Sequence, residues 1–116
     1  MTFDDGILKI YRLENTAQKG DMPNEQLVYK SSFYFGFDNL GISRYYTALS
    51  HNQRIESVVN IEFDTDVRVL DIVEMEDGSY FKIQMLQREK DDDGLIYLKL
   101  SLERLNDEFD KQTEEN

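Results

Sequence analysis

The pattern in this sequence that most resembles a chemical site is a run of carboxylates beside a glycine. Glu89, Asp91 and Asp93, followed by Gly94, occupy the spacing of the first ligands and the turn of a calcium-binding EF-hand loop. The twelfth position of such a loop must supply a bidentate glutamate, and here it is Leu100. We therefore interpret the run as a solvated hairpin tip, because Asp and Gly favour turns by themselves.

A second acidic alternation comprises Glu62, Asp64 and Asp66. It has neither the glycine nor the downstream carboxylate that would complete a metal cage. Charges on the edge of a β-sheet discourage pairing with other chains, and we interpret these three residues in that way.

Catalytic chemistry has little support in the sequence. His51 is the single histidine, it lies in a polar run, and no neighbouring residue marks an orienting partner. The chain contains no GxxxxGK[ST], GxGxxG, GxSxG or HExxH motif and no cysteine. We therefore predict a binding or structural protein without enzymatic activity, cofactor or metal.

Length and composition predict one small globular domain. The chain has 116 residues, of which 40% are hydrophobic, including seven Phe and seven Tyr, and this suffices for one core. The first residues are acidic and polar, unlike a secretory signal, and no apolar run approaches the ~18 residues of a membrane span. We expect a soluble protein that is used inside a cell and does not contact membranes.

Charge is distributed unevenly along the chain. The formal net charge is −11; residues 1–58 carry six basic and seven acidic side chains, whereas residues 59–116 carry seven basic and seventeen acidic ones. This balance opposes binding to phosphate backbones, so any contact with DNA is expected to be non-specific. Partners of the second half should be basic or should avoid its acidic face.

Apolar residues recur at every second position in several segments, which is typical of β-strands. The clearest example is 27–37, whose odd positions predict one mostly aromatic face: Leu27, Tyr29, Ser31, Phe33, Phe35 and Phe37. In segment 79–87 the same logic places Phe81, Ile83 and Met85 on one face. The predicted strands are 7–13, 27–37, 55–63, 67–75, 79–89 and 95–104.

Turn signals arrange the later strands as an antiparallel meander. Asp77 and Gly78 predict a short hairpin turn, and Asp93 and Gly94 end a longer acidic hairpin loop. Glycine is favoured in such turns because it tolerates positive φ. Residues 14–26 are expected to form a long loop. Short strands with turns at this spacing predict an all-β fold, either a small barrel or a sandwich. We favour a small antiparallel β-barrel of about six strands with long loops, because closure removes exposed strand edges.

The C-terminal end departs from the strand pattern. Leu102, Leu105 and Phe109 follow helical spacing, so residues 101–112 have a helical alternative, although we favour a strand to about residue 104. We expect residues 1–105 to form the barrel domain. Residues 106–116 are expected to form a short acidic tail that is helical or flexible.

One segment lacks the carboxylates that are frequent elsewhere. From Asn39 to Ile55 there is no Asp or Glu. Arg and Tyr are enriched where proteins bury surface against each other, so we predict a protein–protein interface in this segment. The alternative is a strand and loop that merely lacks acids. The candidate interface residues are Arg44, Tyr45, Tyr46, His51 and Arg54.

The order of these features resembles the head closure proteins of tailed phages, a family of small head–tail connectors. The resemblance extends over about residues 6–105 and lies in strand and turn segments, including the hairpin Asp77-Gly78-Ser79-Tyr80-Phe81-Lys82-Ile83. The matching segments are 6–13, 44–48, 54–61, 73–83 and 98–102.

The resemblance implies a small β-barrel that assembles into a ring beneath the portal. Such a ring closes the channel after DNA packaging and provides the surface on which the tail docks. The implied partners are the portal, adaptor and tail proteins and further copies of the chain, with DNA passing through the ring. A loop between Asp38 and Arg54 would project toward the channel. The implied location is the virion head–tail junction, after synthesis in the bacterial cytoplasm.

Two other functions are compatible with the residues. A tail completion protein, which joins tail to head, would also be small and rich in β-structure. A small acidic inhibitory domain that imitates DNA and binds a basic protein would explain the net charge of −11. Cross-linking to tail-tube partners would favour the first alternative, and salt-sensitive capture of a nuclease or polymerase the second.

Overall fold

The computed structural model describes residues 3–15, 25–38 and 55–105. Each hydrogen-bonded pair of strands is antiparallel, and the strand order β1-β2-β3-β6-β5-β4 closes on itself. The predicted fold class, a small antiparallel barrel of six strands, is therefore confirmed. The strands are β1 (Gly6–Asn15), β2 (Glu25–Asp38), β3 (Ser57–Glu62), β4 (Ile72–Glu74), β5 (Tyr80–Lys90) and β6 (Ile96–Leu105).

The short strand β4 closes the barrel. Its residue Ile72 pairs with Tyr11 of β1 on one side and with Lys82 of β5 on the other. Each of the six described strands thus has a hydrogen-bonded neighbour on both sides. Closure of this kind removes the long unpaired edges that would otherwise recruit another chain.

The barrel interior holds the main hydrophobic core. All six strands contribute to it, and Val67 adds a side chain from the connection between β3 and β4. Met75 and Leu86 pack against the core from its margin. The core residues are Leu8, Ile10, Phe33, Phe35, Val59, Ile61, Val67, Val73, Phe81, Ile83, Leu98, Leu100 and Leu102.

A β-bulge at Lys30 divides β2 into two parts with opposite orientations. Ile10 pairs with Ser31, but the next residue, Tyr11, pairs with Tyr29, so Lys30 is the extra residue. The prediction of one continuous face on β2 is therefore wrong, because the bulge turns its first half outward. That half joins a second cluster, separate from the core: Tyr11, Leu27 and Ile72, with Leu13, Tyr29, Tyr80 and Leu105 packed against it.

The aromatic residues beyond the bulge differ in burial. Phe33 and Phe35 lie in the main core, as predicted, whereas Phe37 is 60% exposed. Phe37 is the penultimate residue of β2 and contacts the ring of Phe35 edge-on, with centroids 5.1 Å apart. Its exposure reflects its position near the end of the strand rather than a change of face.

A similar irregularity occurs in β5. The register with β6 shifts between Ile83 and Met85, so that Leu86 packs against the core. The predicted face that joined Met85 to Phe81 and Ile83 is corrected accordingly, because the bulge changes the phase of the alternation.

Several predicted boundaries also shift. In the predicted strand 67–75 only 72–74 is a strand, since the preceding residues form a connection held by side-chain contacts. Both flanks of the loop predicted over 14–26 belong to strands, β1 reaching Asn15 and β2 beginning at Glu25. Residues 101–105 are part of β6, not a helix.

Some predictions lie beyond the described part of the chain. They include the tail at 106–116 and the middle of the loop between β1 and β2. Among residues 3–15, 25–38 and 55–105, no helix has the length and hydropathy needed to cross a membrane.

Candidate functional site

The predicted interface segment connects β2 to β3. Asp38 ends β2 and Ser57 begins β3, and these strands pair directly through Asp38 and Val58. The connection therefore leaves and re-enters the barrel at one end. The five interface candidates all lie in this connection, outside the described residues: Arg44, Tyr45, Tyr46, His51 and Arg54.

The turn between β4 and β5 is built around Asp77 and Gly78. The N–H of Gly78 donates to the carbonyl of Met75 (3.0 Å), and Met75 N–H donates to the carbonyl of Ser79 (2.9 Å). Gly78 has φ of 87°, which glycine adopts without the strain of a side chain. One carboxylate oxygen of Asp77 accepts from both the backbone N–H and the hydroxyl of Ser79. Asp77 and Gly78 therefore stabilise this turn.

The hydrogen bonds from the Ser79 hydroxyl and backbone N–H lower the pKa of Asp77 below its ordinary value of 3.8. A lowered folded-state pKa adds stability above the unfolded pKa, and this contribution is lost as pH falls through the folded value.

We predict that the wild type is more stable to unfolding than an Asp77→Asn variant, and that this difference in stability is constant near neutral pH and decreases below pH 3.8. The asparagine cannot gain or lose a proton, so only the wild type loses stability when Asp77 is protonated at acidic pH. Melting temperatures of both proteins between neutral and acidic pH measure the difference. A Ser79→Ala variant, without the hydroxyl donor, should depend on pH less steeply than the wild type. A difference between the Asp77 variant and wild type that does not change with pH would contradict the prediction.

The acidic hairpin between β5 and β6 uses one of its aspartates to build the turn. Asp91 Oδ1 accepts from the N–H groups of Asp93 (2.9 Å) and Leu95 (2.8 Å), and Gly94 N–H donates to the Asp91 carbonyl (3.0 Å). Gly94 has φ of 86°. In the described ranges no group of three or more acidic or histidine side chains is arranged to hold a metal ion.

A charged network anchors the connection between β3 and β4, residues 63–71. Arg12 of β1 donates from Nε and from a terminal nitrogen to the two carboxylate oxygens of Asp71, both at 2.9 Å. The Asp71 side chain is only 3% exposed. It also accepts from the N–H of Arg68 (2.9 Å), so each oxygen is satisfied. A paired and hydrogen-bonded carboxylate of this kind holds the connection against the barrel.

Asp66 extends the network toward solvent. Its carbonyl accepts from Arg12 (2.6 Å), and its carboxylate lies 3.6 Å from Arg12 and 3.9 Å from Arg68. The hydrogen bond to Asp71, and then the charges of Asp71 and Asp66, raise the pKa of Arg12 despite its partial burial.

The position of the acidic alternation Glu62, Asp64 and Asp66 differs from its predicted role. β3 ends at Glu62, so Asp64 and Asp66 lie in the connection and not on a strand edge. Asp64 accepts from the N–H of Asp66 (2.7 Å), which shapes the turn. The interpretation of these two aspartates as edge-protecting charges is corrected, because the Asp64 carboxylate accepts from the loop backbone and the Asp66 carboxylate pairs with Arg12 and Arg68.

Near its C-terminal end the anchored connection presents two adjacent apolar side chains to solvent. Val69 is 49% exposed and Leu70 is 58% exposed. Leu70 has φ of 76°, a left-handed conformation that costs a residue with a side chain about 1 kcal/mol. Its N–H donates to the carbonyl of Ile83 (2.8 Å), which fixes the backbone in this conformation. We call Val69 and Leu70 the Leu70 knob.

A second apolar area lies on the outer surface of β1 and its neighbours. Ile7 and its pairing partner on β2, Tyr34, are both exposed. On the other side of Ile7 is a cavity of about 260 Å³, which we call the Ile7 pocket. It is lined by Ile7, Lys9, Glu74, Met75 and Glu76.

Sequence reasoning missed the Arg12–Asp71 pair, although a signal was present. Asp71 is a single acid within the apolar run Val69–Val73, and Arg12 is a single cation between Tyr11 and Leu13. A charge inside an apolar run is seldom buried unless it is paired. The two residues are 59 positions apart in the chain, so the sequence does not show that each is the other's partner.

The chain is thus a small closed β-barrel with separate apolar areas on its outer surface. No family model matches it, and no curated protein does. Among solved structures it is similar to protein SF1141 from Shigella flexneri 2a, determined in solution, with a TM-score of 0.59 and 13% sequence identity. The alignment covers 84% of this chain and 90% of that one, and at this identity it shows the shared fold alone.

Proposed function

We propose that this chain is a head closure protein of a tailed phage or prophage. It forms a ring at the head–tail junction, closes the portal channel after DNA packaging and offers the tail its docking surface. Its partners are portal, adaptor and tail proteins and further copies of itself. The protein is made in the bacterial cytoplasm, works in the virion and catalyses no reaction.

The observation that carries this proposal is the presence of an exposed apolar pair, Val69 and Leu70, and of a separate pocket beside Ile7 on one closed barrel. The Leu70 knob and the Ile7 pocket are distinct surfaces, and contacts between unlike surfaces are those that generate rings. The family resemblance supports the same function. Its segment 6–13 falls on β1, its segment 73–83 covers the end of β4, the turn and the start of β5, and its segment 98–102 falls on β6.

The test is assembly with the portal and adaptor proteins of the phage or prophage that this proposal implies. Mixing the three purified proteins should add a ring of density beneath the portal–adaptor complex in negative-stain images. A control without adaptor should show no such ring. Absence of added density from the complete mixture would contradict the proposal, and cross-linking to tail-tube protein but not adaptor would favour a tail completion protein.

We predict that Arg44→Glu or Arg54→Glu leaves the barrel folded and weakens assembly by about tenfold or more, as expected for an arginine buried at an interface. Circular dichroism measures the fold, and titration of the portal–adaptor complex with each variant measures assembly. A Lys90→Glu variant, changed at an exposed strand end, is the control for charge reversal. Unfolding of the Arg44 variant would show that the segment belongs to the core and not to an interface.

A further inference from the structure

The conformation of Leu70 is difficult to explain by the folding of this chain alone. A turn that requires φ of 76° is relaxed with glycine and strained with leucine. The leucine side chain is mostly exposed, so burial within its own barrel does not offset that strain. An apolar side chain kept in a strained and exposed position indicates that another surface covers it.

We infer that the Leu70 knob of one copy inserts into the Ile7 pocket of a second copy of this chain. The inference rests on the proposed ring-forming function and names the contact that joins neighbouring subunits. Burial of Val69, Leu70 and Ile7 between copies would remove apolar surface from water at both sites.

Charges beside the two surfaces are complementary. The knob is flanked by Asp66 and by Arg68, whose side chain is 67% exposed. The pocket is lined by a cation, Lys9, and by two acids, Glu74 and Glu76. Glu74 accepts from the Tyr11 hydroxyl and Glu76 from the Ile7 N–H, so both acids are held at the pocket. An orientation that places Arg68 near these acids and Asp66 near Lys9 is favoured by charge over the reverse one.

The knob is rigid enough to dock without a large loss of entropy. Its base is held by the two hydrogen bonds between Arg12 and Asp71, and its tip by the bond from Leu70 N–H to Ile83. A contact loop that is already ordered loses less conformational freedom on binding.

The knob cannot fill the pocket of its own chain. β1 and β4 pair through Tyr11 and Ile72, and Ile7 lies four residues from Tyr11 along β1, about 13 Å at the rise of a strand. Leu70 precedes Ile72 and therefore lies on the far side of this pair. Leu70 can therefore fill this pocket only on a second copy, and in the proposed ring the contact repeats in one direction around the ring, as a heterologous interface does.

Disulfide trapping tests this contact, because the chain contains no cysteine. An Ile7→Cys chain mixed with a Leu70→Cys chain should give a disulfide-linked heterodimer on mild oxidation, at least tenfold above the control pair. The control pair is Ile7→Cys with Leu95→Cys, since Leu95 is an exposed leucine on a different loop. Equal yields of linked heterodimer from the two pairs of variants, both in the absence and in the presence of portal and adaptor proteins, would overturn the inference.

A second variant separates docking from folding. Leu70→Gly removes the side chain and relieves the backbone, so its melting temperature should equal or exceed that of the wild type while ring assembly falls at least tenfold. Full assembly of this variant would overturn the inference. Ring assembly by the wild type, combined with no specific cross-link between the Ile7→Cys and Leu70→Cys chains, would contradict the contact alone. A specific cross-link without any ring would support the contact and contradict the proposed function.

Discussion

Replacing Phe35 by aspartate is expected to unfold the barrel. Phe35 is 4% exposed and lies in the main core, where it pairs with Ile61 of β3. The change removes an aromatic side chain, at a cost of about 3–5 kcal/mol, and buries a carboxylate without a partner, at several more. These losses are comparable to a total stability of about 5–15 kcal/mol.

The strand itself provides the matched control. Phe37 is two residues further along β2 and is 60% exposed, so Phe37→Asp should remain folded. Circular dichroism and urea denaturation of the two variants measure the difference. Cooperative unfolding of Phe35→Asp at a wild-type urea midpoint would show that the aromatic residues of β2 do not form the core.

Replacing Asp71 by alanine is expected to cost about 3 kcal/mol of unfolding free energy. The change leaves Arg12, whose side chain is only 19% exposed, without its bidentate partner, and it leaves the N–H of Arg68 without an acceptor. Urea denaturation at neutral pH measures the loss. Because Asp71 anchors the Leu70 knob, the same variant should also reduce the cross-linking of Leu70→Cys to Ile7→Cys.

Two further variants establish whether the cost comes from the broken pair. Asp92→Ala, at an exposed position of the hairpin between β5 and β6, should change stability by less than about 0.5 kcal/mol. The double variant Arg12→Met with Asp71→Leu should recover part of the lost stability, because removing both charges leaves no unpaired ion, although the N–H of Arg68 still lacks its acceptor. A double variant as unstable as Asp71→Ala would indicate that packing, not charge pairing, determines the effect.

The anchored connection links stability to the proposed assembly. Arg12 and Asp71 stabilise the barrel, and the same pair positions the strained turn at Leu70. Strain at a surface that binds a partner is common, because the rest of the fold can sustain it. A mutation in the pair should therefore affect both folding and self-association, whereas Leu70→Gly should affect association alone.

Local features of the chain determined the strands and turns. Period-two alternation identified β2, β3, β5 and β6, and composition indicated strands at β1 and at β4, of which β4 is much shorter than predicted. Asp77 with Gly78 identified the turn between β4 and β5. These features can be predicted from the sequence because they depend on neighbouring residues. Side chains alternate along a strand, and glycine supplies positive φ in a turn.

Only the tertiary structure decided which faces point inward and which residues meet. The bulge at Lys30 directs Tyr29 outward although it shares the alternation of Phe33, because β1 and β2 shift register there. The pairing of Arg12 with Asp71 depends on β4 closing the barrel against β1. The bulge and the charged pair both arise from contacts between residues far apart in the chain. A pattern of neighbouring residues does not show which distant residues will be in contact.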